Sequence, residues 1–85
     1  AGKSANRSFL FSPEGKIAAS YDKIHLFDVN LPTGEMHRES DRIANGDKVV
    51  ISDIFEGAKL GLSICYDVRF AYLYRALAQA GADIL

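Results

Sequence analysis

The chain has 85 residues, 48% hydrophobic and 25% charged, with a formal net charge of -1. That is the composition of a folded globular piece, and its interleaved charges exclude a basic nucleic-acid surface or an acidic tail. A single cysteine excludes an internal disulfide framework and fits a reducing, cytoplasmic compartment, and no apolar run approaches the roughly 20 residues that span a bilayer.

Taken in chain order, Ser8-Phe9-Leu10-Phe11 is an apolar run, and Ile17-Ala18-Ala19-Ser20-Tyr21 is a second. Between them, Ser12-Pro13-Glu14-Gly15-Lys16 combines a residue that presets φ with one that accepts positive φ, so the segment predicts a β-hairpin. The second strand is expected to run on through Lys23-Ile24-His25-Leu26. Residues 28–48 are poor in apolar positions and form a long excursion, which in a compact domain is usually functional. Residues 49–54 predict a third strand, 55–59 a turn, and 60–64 a fourth strand ending at Cys65. Phe70, Leu73, Tyr74 and Leu77 then mark one stripe of a 3.6-residue period, predicting a helix over 69–80 with Gly81 as its C-cap. Residues 82–85 start another strand. This order implies a mixed α/β sheet. The chain opens on Ala1 and stops inside an apolar run, so an internal piece of a larger domain is expected.

Cys65 falls at the junction of a strand and a helix. A helix N-terminus aimed at a thiol favours the thiolate, and its free N–H groups face a developing oxyanion. The alternative is a buried structural cysteine acting as a small hydrophobe. Asp67 would cap the helix or pair with Arg69. Lys23 lies in an apolar segment, where a lysine is unusual without a partner. By alternation it shares a face with Tyr21 and His25; an exposed lysine at a strand end is the plainer reading. His25 is either a base or a hydrogen-bonded structural residue. Glu39, beside Arg38, is unremarkable on its own. Two histidines and one cysteine assemble no metal set, and there is no phosphate-binding glycine fingerprint.

Two stretches carry a resemblance. Tyr21-Asp22-Lys23-Ile24-His25-Leu26-Phe27-Asp28 resembles the lysine motif of the nitrilase superfamily of carbon–nitrogen hydrolases. Gly61-Leu62-Ser63-Ile64-Cys65-Tyr66-Asp67-Val68-Arg69-Phe70 resembles its cysteine motif. Their order and separation also suit the family, and weaker similarity at both ends extends the match to the whole chain. Where members commonly carry Pro and Glu after Arg-Phe, this chain has Ala71 and Tyr72. The resemblance implies a fragment, residues 1–85, of one domain with a four-layer α-β-β-α sandwich fold, lacking its N-terminal and C-terminal parts. It also implies a Glu–Lys–Cys triad, with Lys23 as the oxyanion-stabilising ammonium and Cys65 as the nucleophile. The triad glutamate would lie upstream of Ala1, since Glu14 sits in a hairpin turn. Glu39 matches a second glutamate that positions the lysine or the base, and the backbone N–H of Tyr66 matches the other oxyanion donor. The implied chemistry is hydrolysis of a small amide through a cysteine thioester with release of ammonia, needing no cofactor, in a homo-oligomeric parent. The form of both motifs is similar to the amidases of ω-amides and deaminated glutathione. An N-carbamoyl hydrolase is one alternative, and a non-catalytic α/β interaction module that retained the motif is another.

Overall fold

A computed structural model describes residues 2–85. The strands are β1 (Ser4–Ala5), β2 (Arg7–Phe11), β3 (Ile17–Asp22), β4 (Asp28–Asn30), β5 (Met36–Arg38), β6 (Ile43–Ala44), β7 (Ile51–Asp53) and β8 (Lys59–Gly61). The one α-helix among the described residues is α1 (Ala71–Gln79), and 3-10 turns occupy Glu39–Asp41 and Cys65–Arg69. The content is mixed α/β, as expected.

The strands pair two by two: β2 with β3, β4 with β5 and β7 with β8 antiparallel, and β1 with β6 parallel. The three antiparallel hairpins close in the same way. Ser12, Leu31 and Ile54 each donate an N–H to the carbonyl four residues on, at 2.7–2.9 Å, and the residue before that carbonyl is Gly15, Gly34 or Gly57 at positive φ. This is a short turn closed by a left-handed residue, a position that glycine occupies without steric cost.

Several boundaries differ from the sequence expectation. β3 ends at Asp22, so Lys23 lies beyond the strand rather than within it. The excursion over 28–48 is structured, holding the β4–β5 hairpin, a 3-10 turn and β6. The third strand is shorter at both ends, and the fourth starts one residue earlier, at Lys59, and stops at Gly61. The last expected strand is a single parallel bridge between Leu60 and Ile84, because no further strand among the described residues extends it.

Few side chains are buried. Leu73 and Leu77 of α1 and Tyr21 of β3 are the buried hydrophobic residues, and Lys23 and Asp67 are buried with them. Fully burying each leucine contributes roughly 1.5–3 kcal/mol. Phe9, Phe11, Ile17 and Phe55 stay exposed. The radius of gyration is 14.9 Å, against about 12 Å for a compact globule of this length. The chain is therefore extended for its size.

The backbone of Lys23 is fixed from two sides. Its N–H donates to the Asn6 carbonyl and its carbonyl accepts from the Gly46 N–H, both at 2.8 Å. Gly46 is packed so closely that an added Cβ would stand 2.3 Å from the Asp22 carbonyl oxygen. Backbone cannot give way as a side-chain tip can. Gly46→Ala is therefore predicted to cost about 1–3 kcal/mol, read as a lower urea midpoint at unchanged m-value. An unmoved midpoint would show that this contact is not tight.

Candidate active site

Lys23 follows β3 directly, and its side chain turns inward until the residue is 2% exposed. Its Nζ donates to Glu39 Oε1 at 2.6 Å. Glu39 opens the 3-10 turn after β5 and is tied to the lysine loop by more than this pair. Its Oε1 also accepts from the Phe27 N–H at 2.7 Å, its Oε2 accepts from Asn6 Nδ2 at 3.3 Å, and its own N–H donates to the Phe27 carbonyl at 3.2 Å. Burial opposes the charged form of Glu39, but the bonds from Lys23, Phe27 and Asn6 outweigh it and hold the carboxyl below its usual range. Glu39 is thus an ionised, occupied carboxylate. An ammonium has three N–H donors, and Glu39 takes one of them among the described residues.

Cys65 is exposed and sits at φ +47°, left-handed backbone that a non-glycine residue adopts at a cost of roughly 1–3 kcal/mol. Ile64 before it is extended, and a 3-10 turn begins at Cys65 itself. The chain therefore reverses sharply at the thiol. The α-helix begins only at Ala71, so the expected α-helix dipole at Cys65 is replaced by the N–H groups of one short turn. The first N–H groups of such a turn have no partner within it, and that of Tyr66 makes no hydrogen bond among the described residues.

Two residues after the thiol lies Asp67, fully buried. Its carboxylate accepts four hydrogen bonds: from Tyr21 O–H at 2.6 Å, from Ile64 N–H at 3.0 Å, and from the N–H and Nδ1 of His25 at 2.9 and 2.7 Å. Burial opposes its charge, yet these donors overcome that and keep its pKa low. An ionised carboxylate only accepts, so His25 Nδ1 carries a hydrogen here. Tyr21 is displaced the other way, its pKa raised by burial and by the bond to Asp67. The His25 ring stacks on Phe70 at 3.8 Å, Tyr66 meets Phe70 edge-on at 5.3 Å, and Phe27 meets Tyr66 edge-on at 4.9 Å.

Two clefts meet at Cys65. One, of about 650 Å³, is lined by Phe27, Tyr66, Val68 and Arg69 with Cys65; the other, of about 610 Å³, brings Cys65 together with Lys23, Glu39, Asn6 and Phe27. Among the described residues, no group of three or more His, Cys, Asp or Glu side chains is placed to hold a metal ion.

The sequence model of carbon-nitrogen hydrolases matches residues 1–85. The chain belongs to the carbon-nitrogen hydrolase family. Relatives include a deaminated glutathione amidase of Synechocystis sp. (strain PCC 6803 / GT-S), 51% identical over 88 residues, covering 100% of this chain and 32% of that protein. The omega-amidase NIT2 of Homo sapiens is 41% identical over 85 residues, covering 100% of this chain and 30% of that protein. Hydrolase C26A3.11 of Schizosaccharomyces pombe is 43% identical over 84 residues, covering 99% and 26%. The chain thus spans about a third of the length of these relatives.

Within this carbon-nitrogen hydrolase segment, Lys23 and Glu39 are in direct contact, and Cys65 opens on the same cleft. Lys23 is not an exposed strand-end residue, and Cys65 is not a buried structural one. His25 is hydrogen-bonded, as its plainer reading held, but it faces Asp67 with Tyr21 rather than Lys23. Asp67 exceeds the capping role expected of it and makes no pair with Arg69, which instead lines the cleft. Tyr72, where many members have an acid, is exposed, so no buried contact depends on it.

The depressed carboxylates set a pH dependence. A carboxyl whose folded pKa lies below its unfolded value contributes stability above the unfolded value and loses it as pH falls through the folded one. With unfolded values of roughly 3.9 and 4.3, Asp67 and Glu39 should stabilise the fold fully above about pH 5 and progressively less below about pH 4. Urea midpoints measured from pH 7 to pH 3 should fall on the acid side, and Glu39→Gln should flatten part of that fall. A slope identical in Glu39→Gln and the unsubstituted protein would contradict the Glu39 contribution.

Proposed function

We propose that this chain carries the nucleophile and the oxyanion-binding groups of a thiol-dependent amidase, as part of a parent with a four-layer α-β-β-α sandwich. The observation that supports this most is a buried, Glu39-bound Lys23 ammonium opening on the same cleft as the exposed Cys65 thiol. The extended shape and exposed apolar residues are consistent with a segment whose faces are covered by the rest of that parent. In this reading residues 1–85 are an internal piece of one domain.

Cys65 thiolate attacks the amide carbonyl carbon, and the carbonyl electrons move to oxygen. The Lys23 ammonium and the Tyr66 N–H receive that oxyanion. Collapse breaks the C–N bond, a general acid protonates the nitrogen, and ammonia leaves a Cys65 thioester. Water activated by the same group, now a base, attacks the thioester, giving a carboxylic acid and restoring the thiol. Glu39 is poorly suited to that proton traffic, because three donors already occupy its oxygens; it positions Lys23. The acid–base carboxylate is assigned to the parent outside these 85 residues, and the isolated segment is expected to be inactive. The relatives' names favour a small ω-amide or deaminated glutathione as substrate. The proposal also takes the parent to be a cytoplasmic homo-oligomer, on the resemblance of the motifs alone.

The test separates the two motif residues in the parent. Cys65→Ser should abolish turnover, because a serine hydroxyl is scarcely ionised at neutral pH. Lys23→Ala should lower kcat by roughly 10²–10³-fold, the usual loss for one oxyanion donor. With iodoacetamide and peptide mapping, Lys23→Ala should still be labelled at Cys65, though more slowly, and Cys65→Ser not at all in this segment. Parent Cys65 reacting no faster than a free thiol at pH 7 would favour a non-catalytic module. Preferential turnover of N-carbamoyl compounds would move the assignment to that branch.

A further inference from the structure

We propose that Asp67 is a positioning residue: its two carboxylate oxygens clamp the backbone beside Lys23 to the backbone beside Cys65 and so fix the spacing of the two groups. This rests on the reading of Cys65 as nucleophile and Lys23 as oxyanion cation.

The geometry divides the four bonds cleanly. Oδ1 receives only His25, through its backbone N–H and its ring Nδ1. Oδ2 receives the Ile64 N–H and the Tyr21 hydroxyl. His25 and Tyr21 flank Lys23, each two residues away, and Ile64 directly precedes Cys65. Asp67 also donates its own N–H to the Ile64 carbonyl at 3.0 Å. The segment from Ile64 to Asp67 is therefore closed into a ring around Cys65 and Tyr66. That ring holds the left-handed backbone of Cys65 and the free N–H of Tyr66 in one arrangement. The loop carrying Lys23 is attached to the same carboxylate from the other side.

The clamp demands a carboxylate. A backbone N–H cannot reverse its polarity, unlike a hydroxyl or an imidazole. Each oxygen of Asp67 faces one such N–H. An asparagine must therefore oppose its NH₂ to one of them, whichever way its amide is turned. One side of the clamp opens: the Ile64 side, freeing the thiol loop, or the His25 side, freeing the lysine loop. Volume is unchanged, so the substitution tests polarity rather than packing.

In the parent protein, Asp67→Asn is expected to fold, with circular dichroism like the parent. Its kcat per alkylatable thiol should fall about 100-fold, the scale set by a misplacement near 1 Å, with KM within about threefold. Alkylation of Cys65 by iodoacetamide should slow, because the thiolate reacts and its share depends on where the ammonium stands. Leu77→Ala is the structural control. It empties a core site next to Gly61, and it should lower the melting temperature while leaving kcat per thiol unchanged. A folded Asp67→Asn with unchanged kcat and alkylation rate overturns the proposal, whatever its melting temperature. If Asp67→Asn does not fold, amide hydrogen exchange in the unsubstituted parent decides. Slow exchange at both His25 and Ile64, which lie outside helix and strand, supports the clamp; free-loop exchange at either sinks it. A parent without amidase activity in which Asp67→Asn still slows alkylation would refute the amidase reading and support the clamp. An active parent indifferent to Asp67→Asn would do the reverse.

Discussion

A carboxylate removed from water must recover its hydrogen bonds inside the protein, or its burial is ruinous. Asp67 recovers four, and meeting that demand draws the end of β3 and the loop that follows it to the turn at Cys65, more than forty residues on. The aromatic layer follows from the same constraint. His25, held by Asp67, offers its face to Phe70; Phe70 receives Tyr66; Tyr66 receives Phe27. Phe27 in turn exchanges hydrogen bonds with Glu39. The apolar floor of the clefts and the polar clamp are therefore one assembly.

Two buried charge systems stand side by side in this assembly and are kept electrically distinct. Asp67 is met by neutral donors and the ring of His25, and Glu39 by the Lys23 ammonium with two neutral donors. Had Lys23 paired with Asp67 instead, its charge would lie beneath the thiol loop rather than on the cleft. The Asn6 carbonyl and Gly46 N–H hold the lysine backbone, and among the described residues Glu39 is the carboxylate that its Nζ meets. A charged side chain is thereby aimed by backbone hydrogen bonds, which are less adjustable than its own rotamers.

The legible parts of the fold were those with local signals. Pro13 and Gly15 marked the first hairpin, and the spacing of Phe70, Leu73, Tyr74 and Leu77 marked α1. The β4–β5 hairpin went unread although Leu31-Pro32-Thr33-Gly34-Glu35 repeats the same Pro-x-Gly device. Its flanking strands are three residues each and mostly exposed, so they lack the apolar alternation that identifies a strand. Lys23 and Cys65 were singled out by motif, and Glu39 by its place after the lysine. The sequence offers Asp67 only local roles, a cap or a pair with Arg69, because its partners Tyr21 and His25 lie more than forty residues away and no local pattern encodes such a contact. Asn6 left no signal at all. The strand expected through Lys23 failed for a physical reason: the apolar residues there serve a loop pinned by hydrogen bonds from both sides.

The left-handed backbone at Cys65 sets thermal robustness against chemistry at a single position. Glycine would occupy that conformation freely, whereas cysteine holds it at an energetic disadvantage. Laboratory evolution screened for heat resistance alone would therefore tend to replace the thiol with glycine, yielding a sturdier protein without the nucleophile of the proposed reaction. Only a screen that also demands turnover would keep sulfur at this bend. On the proposed function, the least comfortable residue of the loop is the one retained for its chemistry.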